Sequence, residues 1–480
     1  MSNILSVDRL SSLSELISRR MGLQFKENRW NDLERNIAQA AKEFKFKDPE
    51  EFIDKLFASE LNSGQMEILA SCLTVSETYF WREPKVFETL VKKILPEIAR
   101  QKEKSEKRLR IWSAGCSSGE EPYSIAIALH RALPDIKEWN ITILATDINP
   151  AILRKAAAGI YGEWSFREPP SWLLSGYFSE KSDKKYRLNE EIRKMVKFAY
   201  LNLVEDVYPS PVNNTNAMDI IFCRNVLMYF VPEKSRQAVK ALRNSLVENG
   251  LFFTSACELS QELFAEFSSI SFAGVLVYRK DNTRVYMPMD SGMEPKQKTS
   301  TVFESLEPKI PAEAETSPAI SEKIASALEF LAKGQYAGTV KKLEETPKAP
   351  AALAIRALAN EGKLTEALVF CEETLKKEKF DPVVYYLKAI ILQELNREGE
   401  AIISLKKALY IDRNMILAHF TLGNILLRQG GLQPAKKSFK NALSLLEAGK
   451  QEEIVPESDG LTAGRFKEII NATMLSGAGV

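Results

Sequence analysis

The chain has 480 residues and a formal net charge of +1, with 45% of its residues hydrophobic and 27% charged. That balance describes a folded chain of about three domains, and its near-zero charge excludes a global pull toward nucleic acid or an anionic membrane. No apolar run approaches the ~18 residues of a membrane span, and the five cysteines (Cys72, Cys116, Cys223, Cys257, Cys371) and two histidines (His130, His419) form no cluster with metal-ligand spacing.

The first twenty residues include an acid and no unbroken apolar stretch, unlike a secretory leader. Scattered cysteines without a C-x-x-C pair fit a reducing cytoplasm, each as a small buried side chain. Up to about residue 75 the apolar spacing is helical: "LSELISRRMGL", "RWNDLERNIAQAAKEF", "PEEFIDKLFAS" and "QMEILASCLTV". From Arg108 strand-like runs ("LRIWSA", "NITILATD", "VKFAYLN", "MDIIFCRN", "GLFFTSA") alternate with helical stretches. That alternation predicts a mostly parallel, doubly wound α/β sheet. The stretch "YFSEKSDKKYRLNEEIRKMVKF" predicts a small inserted hairpin. Residues 281 to 320, rich in Pro, Glu, Ser and Thr, read as a disordered linker. Beyond it Ala367, Ala401 and Ala435 recur at a spacing of 34, as do Ala408 and Ala442. A 34-residue period with small residues at helix contacts resembles tetratricopeptide repeats, with Tyr385 and His419 where a tryptophan is usual and a shortened capping repeat at "LEFLAKGQYAGTVKKLEE".

The chemistry concentrates after the first strand, in "AGCSSGEEPYS". A glycine-bearing turn at the carboxyl end of a strand is where open α/β sheets take nucleotides, and Gly115 lets a ligand approach the backbone. It lacks the G-K-[ST] of a phosphate loop. Glu120 and Glu121 favour the helix dipole, and a carboxylate there repels a pyrophosphate but suits a cationic ligand such as S-adenosylmethionine. Either glutamate can face that ligand. Asp147 stands at the end of the second strand, where a ribose diol would be held; capping the next helix is its other role, one that Asn149 could fill. Asn202 and Leu203 end the third strand near an adenine, and Arg224 and Asn225 follow the fourth, where a solvated loop is the plain alternative.

"AGCSSGEEPYSIAI", "TDINPAILRKAAAGIY", "LNL" and "FCRNVLMYF", with "TVSETYFWREPKVF" before them, occur in the order and spacing of the CheR family, and the chain resembles that family over residues 5 to 285. These are the chemoreceptor glutamate methyltransferases of bacteria; with the repeats the chain looks like their tetratricopeptide branch. The resemblance implies methyl transfer from S-adenosylmethionine to receptor glutamates, giving glutamate 5-O-methyl esters and S-adenosylhomocysteine. It implies cofactor contacts from Ser76, Thr78 and Arg82 besides Gly115, the glutamate pair, Asp147, Asn202, Leu203, Arg224 and Asn225, with Arg82 and Tyr229 beside the transferred methyl. Ser76 stands where the family usually has Asn. The family's G-H-S-E reads "SACE" (Ser255 to Glu258), so the histidine is missing. Acids and bases roughly balance in the N-terminal domain, although Arg19, Arg20, Lys26, Arg29 and Arg35 could share a face. The hairpin loop "SEKSDKKY" is short and has no glycine, which predicts recognition independent of a receptor's C-terminal pentapeptide.

The expected division is an all-α domain (1–75), a Rossmann-like α/β methyltransferase domain with an inserted hairpin (76–285), a linker (286–320), all-α tetratricopeptide repeats (321–450) and a tail in which a helix could form (451–480). The expected partners are the cytoplasmic helical domain of a chemoreceptor and another regulator held by the repeats, without nucleic acid or membrane insertion, in the cytoplasm. The competing readings are a cofactor-binding scaffold without transfer, and a methyltransferase for small carboxylic acids. The intact set of cofactor residues favours transfer over scaffolding, and the helical N-terminal domain argues against a small acceptor.

Overall fold

The computed structural model of this chain describes residues 5–58, 63–74, 77–102, 107–167, 169–181, 184–210, 213–272, 274–281, 351–360, 362–447, 449–458 and 461–477. Ser76, the linker 286–320, the shortened repeat and part of the hairpin loop "SEKSDKKY" lie outside the described residues. No helix among the described residues is long and apolar enough to cross a membrane.

Four helices open the chain: α1 (Val7–Met21), α2 (Trp30–Glu43), α3 (Pro49–Ala58) and α4 (Ser63–Leu73). Helix α1 buries Leu10, Leu13, Ile17 and Met21 along one stripe, and the Ser6 side chain caps it by accepting from Arg9 N. Gly22 ends it at φ 72°, a left-handed conformation that suits glycine. A Cβ there would also lie 2.5 Å from Val204, so this glycine lets the helical domain close onto the sheet domain.

After α5 (Pro84–Thr89) and α6 (Leu95–Lys102) comes the α/β unit: β1 (Arg108–Ala114), α7 (Glu120–Ala132), β2 (Asn140–Asp147), α8 (Pro150–Ala158), β3 (Ile160–Gly162), α9 (Ser171–Tyr177), β4 (Phe178–Lys181), β5 (Lys185–Leu188), α10 (Glu190–Lys194), β6 (Val196–Tyr200), β7 (Met218–Phe222), α11 (Pro232–Ser245), β8 (Leu246–Phe253), β9 (Phe267–Phe272) and β10 (Val275–Lys280). Seven strands form one sheet in the order β6-β2-β1-β7-β8-β10-β9. The first five in that order run parallel, and β10 and β9 pair antiparallel at the edge. Side chains alternate between two apolar cores, with Ile111, Ile220 and Phe222 in one and Trp112, Ile221 and Cys223 in the other. Strands covered on both faces therefore read as unbroken apolar runs. The inserted hairpin β4–β5 gains β3 as a third strand, in the order β3-β5-β4. The β9–β10 hairpin is not evident from the sequence, because its short strands carry no strong turn signal.

The repeats comprise α12 (Ala351–Asn360), α13 (Leu364–Lys377), α14 (Pro382–Glu394), α15 (Glu398–Ile411), α16 (Ile416–Arg428) and α17 (Leu432–Glu447), followed by α18 (Ala463–Gly477). Ala367, Ala401, Ala435, Ala408 and Ala442 are all fully buried, which gives the 34-residue period its physical reason. Gly423 acts likewise: a Cβ there would come 2.6 Å from the Phe439 ring.

The repeats dock at the amino-terminal ends of the sheet strands. Buried Glu394, at the end of α14, lies 3.4 Å from Arg110 and 3.6 Å from Arg108, and accepts from Asn216 Nδ2 at 3.2 Å. Arg110 Nη2 also donates to Asn214 Oδ1 at 2.7 Å, Asn140 Nδ2 to Glu394 O at 2.8 Å, and Arg108 Nη1 to Gly362 O at 3.0 Å. Helix α18 packs against α4, α8 and β6, so the C-terminal end touches elements flanking both other units.

Nearby, burial and the Arg428 charge push the Lys197 ammonium down to about 8, against the pull of Glu398. The folded protein therefore disfavours charged Lys197 below that pH, and the penalty fades as pH rises toward the unfolded value of ~10.4. Lys197→Met is expected to raise stability near pH 7 by about 2 kcal/mol. Urea denaturation should show that gap closing near pH 10.

Candidate active site

The strand order reverses around β1, whose neighbours β2 and β7 lead to crossovers on opposite sides of the sheet. Such a reversal opens a crevice at the carboxyl ends of the strands. There a cavity of about 1200 Å³, counting its open mouth, is lined by six separate segments between Met21 and Phe230. The first β–α turn supplies Gly115, Cys116, Ser117 and Glu121; the end of β2 supplies Asp147 and Ile148; the β6 end supplies Leu201, Asn202 and Leu203. The loop after β7 supplies Arg224, Asn225, Val226 and Tyr229, and the connecting segment supplies Glu77, Thr78, Tyr79 and Arg82. Thus Thr78, Arg82, Gly115, Glu121, Asp147, Asn202, Leu203, Arg224, Asn225 and Tyr229 are brought together.

Glu120 is not on this wall, which corrects the expectation that either glutamate could face the ligand. Neighbouring residues of a helical turn diverge by about 100°. Glu120 points into protein, where its carboxylate accepts from Ser118 Oγ at 2.7 Å and Ser165 Oγ at 2.8 Å. Burial raises its pKa while those two hydroxyls lower it. It ties the first turn of α7 to the segment following β3.

Glu121 faces the cavity, accepting from Ser113 Oγ at 2.8 Å and pairing with Arg224 Nη1 at 3.0 Å. Burial pushes its carboxyl up, and Arg224 and Ser113 pull it back. Arg224, with a side chain only 2% exposed, is no solvated loop residue: its Nη2 also reaches Glu83 at 3.1 Å and donates to Arg82 O at 2.9 Å. One guanidinium thereby joins the loop after β7, the first turn of α7 and the connecting segment.

Asp147 leaves helix capping to Asn149, whose Oδ1 accepts from Ala151 N and Ile152 N. The Asp147 carboxylate instead accepts from Ser117 N at 2.9 Å and Asn149 N at 3.0 Å. Its pKa is raised by burial, with these backbone donors opposing. Asn202 lines the cavity, but its amide is committed to protein: Nδ2 donates to Arg20 O at 2.9 Å and Oδ1 accepts from Val204 N at 3.0 Å. These contacts fix the orientation of the amide, and Oδ1 keeps a second lone pair.

The glycines also have a reason in the packing of the turn itself. A Cβ on Gly115 would collide with the Val226 side chain, and one on Gly119 would meet Ala156 at 2.9 Å, both at positive φ. Close packing of the turn against its own neighbours demands glycine before any ligand arrives.

Several contributors escaped sequence reasoning. Met21, Leu23, Gln24, Phe25 and Arg29 of the helical domain line the cavity. They reach it because Gln24 N donates to Tyr229 O at 2.6 Å and Val231 N to Gly22 O at 2.9 Å. Glu258, the last residue of "SACE", accepts from Asn225 N at 2.7 Å, Val226 N at 2.8 Å, Met228 N at 3.1 Å and Thr254 Oγ1 at 3.0 Å. It fixes the loop that carries Arg224 and Tyr229. Only its conformity to a family motif signalled this. Glu258→Gln turns one acceptor into a donor facing N–H groups, and is expected to lower stability by about 2 kcal/mol. Calorimetric titration with S-adenosylhomocysteine should show weaker binding in the same variant.

The donor set fits S-adenosylmethionine. Asp147 and Glu121 provide carboxylates, Leu201, Leu203 and Phe230 provide apolar wall, and Ser117 Oγ is buried without a hydrogen-bond partner among the described residues. No group of three or more metal-ligating side chains is found among the described residues.

Comparisons with known proteins identify the family. Residues 76–272 match the family described as CheR methyltransferase, SAM binding domain, and residues 383–415, spanning α14 and α15, match a tetratricopeptide repeat. The chain is 39% identical over 199 residues to chemotaxis protein methyltransferase 2 of Vibrio cholerae, covering 42% of this chain and 67% of that relative. It is 36% identical over 243 residues to the chemotaxis protein methyltransferase of Borreliella burgdorferi, covering 50% and 84%. Similarity to the probable biofilm formation methyltransferase WspC of Pseudomonas aeruginosa is lower, at 28% over 430 residues, but covers 88% of this chain and 95% of that one.

Proposed function

Since this chain belongs to the CheR family of S-adenosylmethionine-dependent methyltransferases of chemosensory signalling, we propose that it methylates glutamate side chains of a chemoreceptor's cytoplasmic helical domain. The observation that carries this reading is Arg82 on the cavity wall. Its guanidinium lies 5.7 Å from the centroid of the Tyr79 ring and donates through Nη1 to Glu77 O at 3.1 Å. Its remaining N–H groups have no partner among the described residues, so they can receive an acceptor carboxylate. When bound, S-adenosylmethionine supplies an electrophilic methyl group on its sulfonium.

In this reading Asp147, Glu121, Ser117, Thr78 and Leu203 hold the cofactor, with Ser76 as a further contact from outside the described residues. Arg224 and Glu258 hold the wall in shape, and Tyr229 and Arg82 stand at the acceptor. A glutamate side chain, which in water loses its proton near pH ~4.3, is already ionised at neutral pH. It needs no general base, so rate comes from orientation. Arg82 orients the carboxylate by charge-assisted hydrogen bonds. A grip on both oxygens would reduce its nucleophilicity, so a half-buried arginine stacked on an aromatic ring suits the task. We place the domain limits near residues 75, 285, 320 and 450, with the protein acting in the cytoplasm.

The repeats serve as a recruiting surface for another regulator: Phe380 and Tyr410 are exposed beside Lys406 and Lys407, away from the docked face. The test is incubation with methyl-labelled S-adenosylmethionine and membranes carrying the cognate receptor. Base-labile label on receptor glutamates supports the reading, and Arg82→Ala or Asp147→Ala should abolish it. Cofactor binding without transfer would favour a scaffold.

A further inference from the structure

We infer that Trp164, Arg167 and Tyr79 form a docking rail beside the cavity mouth for an acidic segment of the acceptor protein, an inference that rests on the glutamate-methylating reading. The rail begins inside the site. Arg82 and Tyr79 line the cavity, and the Tyr79 ring is approached by two guanidinium groups, Arg82 at 5.7 Å and Arg167 at 5.1 Å. Arg167 in turn stacks on Trp164 at 3.9 Å from the ring centroid. Trp164 is 69% exposed. An unbroken run of alternating arginine and aromatic side chains thus leads from the cavity to the surface.

An exposed indole leaves a large apolar area in water, and tryptophan, tyrosine and arginine are the residues that dominate interface energetics. Stacking also holds the guanidinium groups in place before a partner arrives, so less side-chain freedom is lost on binding. Charge selects the partner. Arg82, Arg167 and Lys184 are joined by exposed Lys185 and Arg187 on β5, while the acids in contact with these cations are Glu77 and Glu163 and exposed Glu180 lies on the neighbouring strand β4. Glu163 is paired with Lys184 at 3.1 Å. Glu77 accepts from Arg167 Nη1 at 2.8 Å, and this charge holds its carboxyl below the usual range. Glu77 therefore occupies the position an incoming carboxylate would take on Arg167. Nη2 of Arg167 is buried without a hydrogen-bond partner among the described residues, so Nη1, the atom that Glu77 holds, is the one an incoming carboxylate competes for. The occupant is a glutamate-bearing segment with an apolar side chain over Trp164, placed so that a neighbouring glutamate reaches Arg82.

The test uses the full chain and a fluorescein-labelled peptide made of three copies of Ala-Glu-Ala-Leu-Glu-Glu-Ala, read by anisotropy at low salt. Trp164→Ala and Arg167→Gln should each weaken peptide binding about tenfold, with S-adenosylhomocysteine affinity unchanged. Glu77→Gln should tighten peptide binding about two- to threefold by releasing Arg167. Arg35→Gln, a surface change on α2, should leave it as it is. Absence of peptide binding, retained binding in both rail variants, or an equal loss in Arg35→Gln would overturn the rail. The assay reads docking without methyl transfer. Failure of the glutamate reading would instead appear as missing base-labile label with peptide binding intact.

Discussion

Arg224→Gln is expected to cost about 3 kcal/mol of stability and roughly 10²-fold or more in methyl transfer. The variant keeps a polar side chain but shortens it and removes its charge, so the contacts made by the two Nη atoms are lost. Glu121 and Glu83 then face each other across a closed wall without the cation that lies 3.0 and 3.1 Å from them. Burial already pushes the Glu121 carboxyl up. Without Arg224 the opposing pull is gone, so the carboxyl should take up a proton at a higher pH than in the wild type, removing a negative charge from the cavity wall. The hydrogen bond to Arg82 O is also at risk, so the segment bearing Arg82 and Thr78 loosens. Urea denaturation and a pH profile of S-adenosylhomocysteine affinity check this together. As pH is lowered, affinity in the variant should begin to fall at a higher pH than in the wild type. A variant with wild-type stability and an unchanged profile would show that Arg224 does not hold this wall.

Glu394→Ala should be the most destabilising single change in the repeats, by about 3–5 kcal/mol. The residue is enclosed by Arg108, Arg110 and Asn216. Arg110 is fully buried, and its pKa is lowered by burial, with the Glu394 charge opposing. Deleting that charge leaves a buried guanidinium without its counter-ion at the amino-terminal end of β1. The expected result is loss of hydrogen-exchange protection in the loops of α14 and in β1, with the repeats released from the sheet. Cofactor affinity should change little, since the cavity lies at the other ends of the strands. Glu394→Gln, which keeps an acceptor toward Asn216, should lose less than the alanine variant.

Much of the architecture was legible because it rests on local periodicity. The alternating apolar runs from Arg108 onward, the helical spacing of the first 75 residues and the alanine period of the repeats each reflect one element meeting its neighbour. The edge hairpin β9–β10 and the third strand of the inserted sheet were not legible, because short strands gain their identity from partners distant in sequence. In the site, residue types at strand ends were legible because the reversal of strand order puts ligands there.

By itself the sequence determined the three-part build, the family, the cofactor class and the cluster of residues at the strand ends. Its motif order and spacing encode which loops converge. Which of two adjacent glutamates meets the cavity was decided only in the tertiary structure, since a helical turn sends one to Arg224 and the other to Ser165. Only folding likewise committed the Asn202 amide to Arg20, brought Phe25 and Arg29 over the cavity, and seated Glu394 between two arginines. Each of these contacts joins residues far apart in the chain, and periodicity and local propensity say nothing about such pairs.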